Sequence, residues 1–189
     1  MSNSEFTAYR RQLLADVAGE VLEIGMGTGL NLAHYPESVT QLVAIDPNLG
    51  THRLARKRLK ETSAPVELRV LNGESLPLAD HSFDCVVSTW TLCSIPNVQA
   101  AIAEIERVLK PGGRFFFVEH GLSGQAEVAW WQNRLTPLQK IIADGCHLNR
   151  DMEQLICDHF GQINVKKFYS PSFPKPVGYM YFGIADKKR

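Results

Sequence analysis

The sequence has no charge of dominant sign: 20 lysines and arginines balance 20 aspartates and glutamates over 189 residues. Without a global field to attract polyanions, the expected partner is a small, roughly neutral molecule and not nucleic acid. Paired cysteine motifs are missing too. Cys85, Cys93, Cys146 and Cys157 lie far apart with no C-x-x-C, which argues for a reduced, cytoplasmic protein with neither structural disulfides nor a bound metal. No charged-then-apolar leader opens the chain, and no apolar run approaches the ~20 residues that cross a bilayer. A transmembrane segment is therefore not expected, while peripheral membrane contact and oligomeric state stay open. The length suits one sizeable core and is short for two, so residues 1–189 are expected to form a single domain.

What the chain does contain is organised around Val21-Leu22-Glu23-Ile24-Gly25-Met26-Gly27-Thr28-Gly29. An apolar run leading into an acid and then alternate glycines reads as a buried strand, followed by a turn whose backbone passes close to a ligand. A dinucleotide fingerprint needs glycine three positions after Gly27, where Leu30 stands, and a phosphate loop needs a G-K-[ST] that is absent. Ahead of this turn, Phe6, Tyr9, Leu13 and Val17 recur at helical spacing, so residues 1–18 form either a helix covering the sheet or a lid. After it, Leu30 to Tyr35 reads as a short helix and Gln41 to Ile45 as a second strand. That strand ends at Asp46-Pro47, where a nucleoside-binding fold places an acid to accept from ribose hydroxyls. The basic helix Thr51 to Glu61 lacks interleaved aromatics and reads as a solvated face.

A third strand, Val66 to Leu71, ends in Asn72-Gly73-Glu74, which should border a nucleobase. A fourth, Phe83 to Ser88, brings Ser88, Thr89 and Trp90 to the same edge. Helix Val98 to Leu109 stops at Lys110-Pro111-Gly112-Gly113, and the fifth strand, Arg114 to Val118, runs into Glu119-His120-Gly121. Residues 121–150 depart from simple alternation. Trp130, Trp131, Asp144, His147 and Arg150 there either build an acceptor pocket or belong to a packed insertion. Asp151 caps a last helix, and Ile163 to Phe168 and Tyr179 to Ala185 read as the final strands.

Four features in order, the glycine turn, Asp46, Asn72-Gly73-Glu74 and Leu109-Lys110-Pro111-Gly112-Gly113, resemble the class I S-adenosylmethionine-dependent methyltransferases of the type 11 group. The resemblance implies an α/β, Rossmann-like doubly wound sheet of seven strands in the order 3-2-1-4-5-7-6, strand seven antiparallel. It implies S-adenosylmethionine as cofactor, with S-adenosylhomocysteine as product, held over strands one, two and four. Glu23 would then face the ligand's ammonium directly or through water, the turn N–H groups of Gly25, Gly27, Thr28 and Gly29 its carboxylate, and Asp46, Pro47, Asn72, Gly73, Glu74 and Ser88 the remainder. A narrower likeness links Asp46-Pro47-Asn48, Thr91 to Ser94, Glu119-His120, Trp130 to Gln132, and Asp144-Gly145-Cys146 with Leu148 and Arg150 to the methyltransferase-like thiol methyltransferases of lipid droplets and endoplasmic reticulum. Those proteins begin with an apolar anchor that is not seen here. Phospholipid N- and ubiquinone C-methyltransferases share parts of the same pattern.

The expected enzyme transfers a methyl group to a small molecule, with a thiol the first acceptor to consider. Because a sulfonium methyl is already electrophilic, catalysis needs in-line alignment, a dry pocket and a destination for the acceptor's proton. His120 is the candidate base, with Trp90, Trp131, Asp144, His147 and Arg150 as acceptor contacts. The alternatives are an O-, N- or C-methyltransferase, a non-catalytic S-adenosylmethionine-binding protein, and, more distantly, a nicotinamide oxidoreductase.

Overall fold

The apolar runs fold into strands β1 (Gly19–Ile24), β2 (Val39–Ile45), β3 (Val66–Arg69), β4 (Phe83–Thr89), β5 (Leu109–His120), β6 (Ile163–Tyr169) and β7 (Tyr179–Asp186). The structure is a computed structural model and describes residues 4–161 and 163–188. One seven-stranded sheet results, in the order β3-β2-β1-β4-β5-β7-β6. The first five strands run parallel, and β7 is antiparallel to both β5 and β6.

Period-two alternation divides the core. Leu22, Ile24, Val43, Ile45, Val86, Phe115 and Phe117 face one side, and Val21, Leu42, Ala44, Cys85, Val87, Phe116 and Val118 face the other. Both faces are covered, which is why consecutive residues are apolar at Val21-Leu22 in β1 and Cys85-Val86-Val87 in β4. On the first side lie α3 (Val98–Val108) and α5 (Met152–Phe160). Helix α3 buries Val98, Ala101, Ile102, Ile105 and Val108, a stripe at helical spacing, and Asn97 caps it by accepting from Ala100 N. Asp151 caps α5 in the same way, and Gly161 ends it at φ 79. On the second side, α1 (Ser4–Leu14) buries Phe6, Leu13 and Leu14. The exposed basic residues of α2 (Leu49–Arg58) face outward as expected.

Several expected boundaries move for local reasons. Because Asn48 accepts from Gly50 N, α2 begins at Leu49, and Leu59–Glu61 becomes a 3-10 turn. The segment before Pro36 is too short for a helix and keeps only the turn Leu32–His34. Strand β5 starts at Leu109, so the Lys-Pro-Gly-Gly segment belongs to the strand, and the β4–β5 register shifts between Phe83 and Cys85. Most of the 121–150 stretch is one helix, α4 (Ala126–Ile142). Its buried face is Val128, Gln132 and Thr136. Trp130, Trp131, Leu138, Ile141 and Ile142 are exposed, and at helical periodicity they fall within about 120° of the circumference.

Candidate active site

The carboxyl ends of β1, β2 and β4 open onto a cleft of about 690 Å³, the usual place for a ligand in an open α/β sheet. Its floor is the glycine turn. Gly25, Gly27 and Gly29 have φ of +71, +52 and +77, a region that other residues enter only with strain. An added Cβ on Gly25 would lie 2.1 Å from Thr91 Oγ1, whereas one on Gly27 would meet nothing within 4 Å. The turn is therefore closed against the loop after β4 at Gly25 and open to the cleft at Gly27. Arg58 Nη1 steadies it by donating to Thr28 O at 2.5 Å.

Asp46 and Pro47 line the cleft as the spacing suggests. Asp46 Oδ2 accepts from Gly27 N at 2.9 Å and Oδ1 from Asn48 N at 2.8 Å, so this carboxylate braces the turn while each oxygen retains further acceptor capacity. Asn72, Gly73 and Glu74 form the adjoining wall. There Asn72 Oδ1 accepts from Glu74 N, and Glu74 Oε1 accepts from Asn97 N.

Glu23 sits one layer behind the wall. It is 1% exposed, and its oxygens accept from Asn31 Nδ2 at 2.8 Å and Tyr35 Oη at 2.9 Å. Burial pushes its pKa up to about 7, against the opposing pull of those hydrogen bonds and of Arg10. Glu23 does not itself line the cleft, whereas Asn31, to which it is hydrogen-bonded, does. Asn31 Oδ1 is a buried acceptor with no protein partner among the described residues, so a ligand donor such as an ammonium would satisfy it.

The expected turn N–H groups are largely engaged within the protein. Gly25 and Met26 donate to Ile45 O, Gly27 to Asp46, and Gly29 to Met26 O. The cation lining the cleft is instead Arg10 of α1, which is buried and lies 4.8 Å above the Trp90 ring. Trp90 takes the unusual φ of 53, with Phe6 against it at 5.1 Å.

Other expected site residues lie elsewhere. Ser88 follows the strand period onto the α3/α5 side, where its hydroxyl donates to Glu119 Oε1 at 2.7 Å instead of entering the cleft. Glu119 also accepts from the N–H groups of Thr91, Leu92 and Cys93, so it shapes the loop after β4. His120 is buried beside Cys146, Nδ1 to Sγ 3.9 Å, and does not line the cleft. His147 Nδ1 lies 3.2 Å from Cys93 O. Arg150 donates to Leu92 O and Pro96 O, so His147 and Arg150 hold loops together and do not form the cleft wall. Trp131 is exposed on the outer face of α4, edge-on to Trp130. Of the expected acceptor contacts, Trp90 and Asp144 line the cleft. Sequence reasoning missed Asn31 and Arg10, neither of which carries a motif signal of its own.

Residues 22–117 match a family model described as a methyltransferase domain, of the type 11 group. Thiol S-methyltransferase TMT1B of Rattus norvegicus is 37% identical over 172 residues, covering 88% of this chain and 70% of that protein. Thiol S-methyltransferase TMT1A of Homo sapiens is 35% identical over 199 residues, covering 98% and 81%. N-methyltransferase NodS from Bradyrhizobium japonicum WM9, solved in complex with S-adenosylhomocysteine, has the same fold at 17% identity, with a TM-score of 0.70 over 98% of this chain and 87% of that one. Among the described residues no helix is long and apolar enough to cross a membrane. The sheet order, the braced glycine turn and these matches together establish that the chain belongs to the class I methyltransferases of the type 11 group and is an enzyme with S-adenosylmethionine as its cofactor.

Proposed function

We propose that this methyltransferase acts on the sulfur of a small thiol. The observation that carries the reading is the chemistry of the cleft wall: among the described residues no histidine or cysteine lines it, and around Trp90 the wall is Ile95, Pro96 and Ala143 with the neutral hydroxyls of Thr89, Thr91 and Ser94, and with Asp144 as its carboxylate. Such a wall aligns and dries an acceptor but supplies no base matched to a phenol or an ammonium of pKa near 10. A thiol of pKa ~8.5 is already a few per cent thiolate at neutral pH and needs the least help. The two relatives named as thiol S-methyltransferases support the same acceptor.

When bound, S-adenosylmethionine would supply an electrophilic methyl, with its sulfonium sulfur leaving as a neutral thioether. Around it Asp46 would accept from the ribose hydroxyls, Asn31 Oδ1 would accept from the ammonium, and Arg10 would pair with the carboxylate. Gly27 lets the backbone approach, and Asn72, Gly73 and Glu74 border the adenine. Trp90 and Asp144 position the acceptor, whose proton has already gone to solvent. Because Arg10 lies on α1, that helix serves as part of the site's cover. The balanced charge of the chain supports a small acceptor over nucleic acid. The outward apolar stripe of α4 supports peripheral lipid contact by an otherwise cytoplasmic protein.

The deciding experiment offers methyl-labelled S-adenosylmethionine with one alkyl thiol, one phenol, one primary amine and one quinone precursor. Label entering the thiol alone is expected. Faster labelling of the amine, phenol or quinone would reassign the acceptor, and tight cofactor binding with no label in the thiol would overturn the thiol assignment.

A further inference from the structure

We propose that Cys93, His120 and Cys146 form a binding site for a zinc-class divalent metal, which ties the loop after β4 to the loop after α4. The Sγ atoms of the two cysteines and a ring nitrogen of His120 all lie within 4.8 Å of one another, and the three residues are 1%, 4% and 5% exposed. Widely spaced cysteines gave no sign of this. The fold brings Cys93 from the end of β4, His120 from the end of β5 and Cys146 from the turn after α4 to one point.

The donor set suits that metal. Two thiolates and an imidazole are characteristic zinc ligands, and bond lengths of about 2.3 Å to sulfur and 2.0 Å to nitrogen put tetrahedral ligand atoms roughly 3.5–3.8 Å apart. The observed Cys146 Sγ to His120 Nδ1 separation of 3.9 Å is close to this already, and the widest pair closes by about 1 Å through side-chain rotation. Binding displaces one proton from each thiol to solvent, leaving a neutral assembly of Zn²⁺ with two thiolates and a neutral imidazole. The three protein donors leave a fourth position for water.

The surroundings are those of a built site. Glu119 accepts from Cys93 N and fixes the first loop. His147 N donates to Cys93 O at 2.8 Å, and the backbones touch closely enough that a Cβ on Gly145 would lie 2.9 Å from Ser94 O. Ser94 and Gly145, the neighbours of the two cysteines, both line the cleft. A metal here stiffens the acceptor side of the active site without entering it, whatever acceptor the cleft takes.

The test is metal content and cobalt spectroscopy on the full chain. Protein produced with added zinc and dialysed without chelator is expected to retain about one zinc per chain. Chelator-stripped protein given Co²⁺ should gain a thiolate-to-cobalt band in the near ultraviolet and visible bands of tetrahedral intensity. Cys146→Ser and His120→Gln should each lose the metal, and Cys157→Ser on α5 should keep it. If the first two variants fail to fold, the cobalt spectrum of the unaltered chain decides alone. Less than about a tenth of a zinc per chain with no cobalt band would overturn the proposal. So would a freshly purified protein in which only two of the four cysteines titrate after denaturation, since Cys93 and Cys146 would then be joined to each other.

Discussion

Replacing Glu23 with glutamine should remove a pH dependence from folding stability that the unaltered chain must show. Burial raises the Glu23 pKa from its ordinary 4.5 to about 7, so between these values the folded protein holds a proton that the unfolded chain has released. Stability contributed by this group is full below pH 4.5, falls as pH rises, and is lost once pH exceeds about 7. With 1.36 kcal/mol per pH unit, a wholly buried group shifted this far changes the stability by about 3 kcal/mol across that window. Glutamine keeps the shape and has no proton to lose. Its oxygen can take the Asn31 N–H, and the Tyr35 hydroxyl can turn to accept from the new amide, at a cost of about 1 kcal/mol for the rearranged hydrogen bonds. Urea denaturation of both proteins from pH 4.5 to 8.5 reads the difference directly. The unaltered chain is expected to be the more stable at low pH and to lose that lead, then fall behind, as pH rises through 7. A difference that stays constant across the range would refute the reasoning, because it would mean that Glu23 is ionised in the folded protein throughout.

Further outcomes follow from the same geometry. Asp46→Ala removes the acceptor for Gly27 N together with the proposed ribose contacts, about 3 kcal/mol for two charge-assisted bonds, so calorimetry should show cofactor affinity weakened about a hundredfold. Gly25→Ala drives a Cβ into Thr91 at a φ of +71. Thermal unfolding should show a loss that Thr91→Ala relieves only in part, because about 1–2 kcal/mol of backbone strain stays. If the acceptor ionises unaided, methyl transfer to a thiol of pKa ~8.5 should rise about tenfold per pH unit up to that pKa and then level off. A plateau reached near pH 6.5 would instead restore a histidine base. Trp130→Ser with Trp131→Ser should lower co-sedimentation with phosphatidylcholine vesicles while leaving cofactor binding unchanged, since both indoles are exposed and neither lines the cleft.

The sheet was legible because a strand announces itself by its alternation and a glycine turn by its steric need. Asp46 and the Asn72-Gly73-Glu74 corner could be placed at the cleft, with Glu23 one layer behind it, because their position follows from lying at a strand's end. Position along the chain does not say which way a side chain points. Ser88 and Thr89 stand side by side, yet the pleat turns one toward Glu119 while the other lines the cleft. His120 looked like a base at the mouth of β5, and only the packing of the loop after α4 shows that it meets Cys146. Trp131 failed as a pocket residue because α4 is helical there, and its buried stripe is set by Val128, Gln132 and Thr136. Arg10 was hidden for the opposite reason: nothing local marks a helical arginine that another element's aromatic ring will cover.

The placement of β7 between β5 and β6 also constrains the order in which the chain can fold. As the chain is synthesised, β6 emerges with no neighbour in the sheet, and it stays unpaired until β7 has followed it and laid down against both. Until then β6 is a solitary strand open to wrong partners. Pro171, Pro174 and Pro176 fall in the connection between these two strands, where their stiffness narrows the paths by which β7 returns. Pairing of this last interior strand is therefore the step at which chaperone access should govern the yield of folded enzyme.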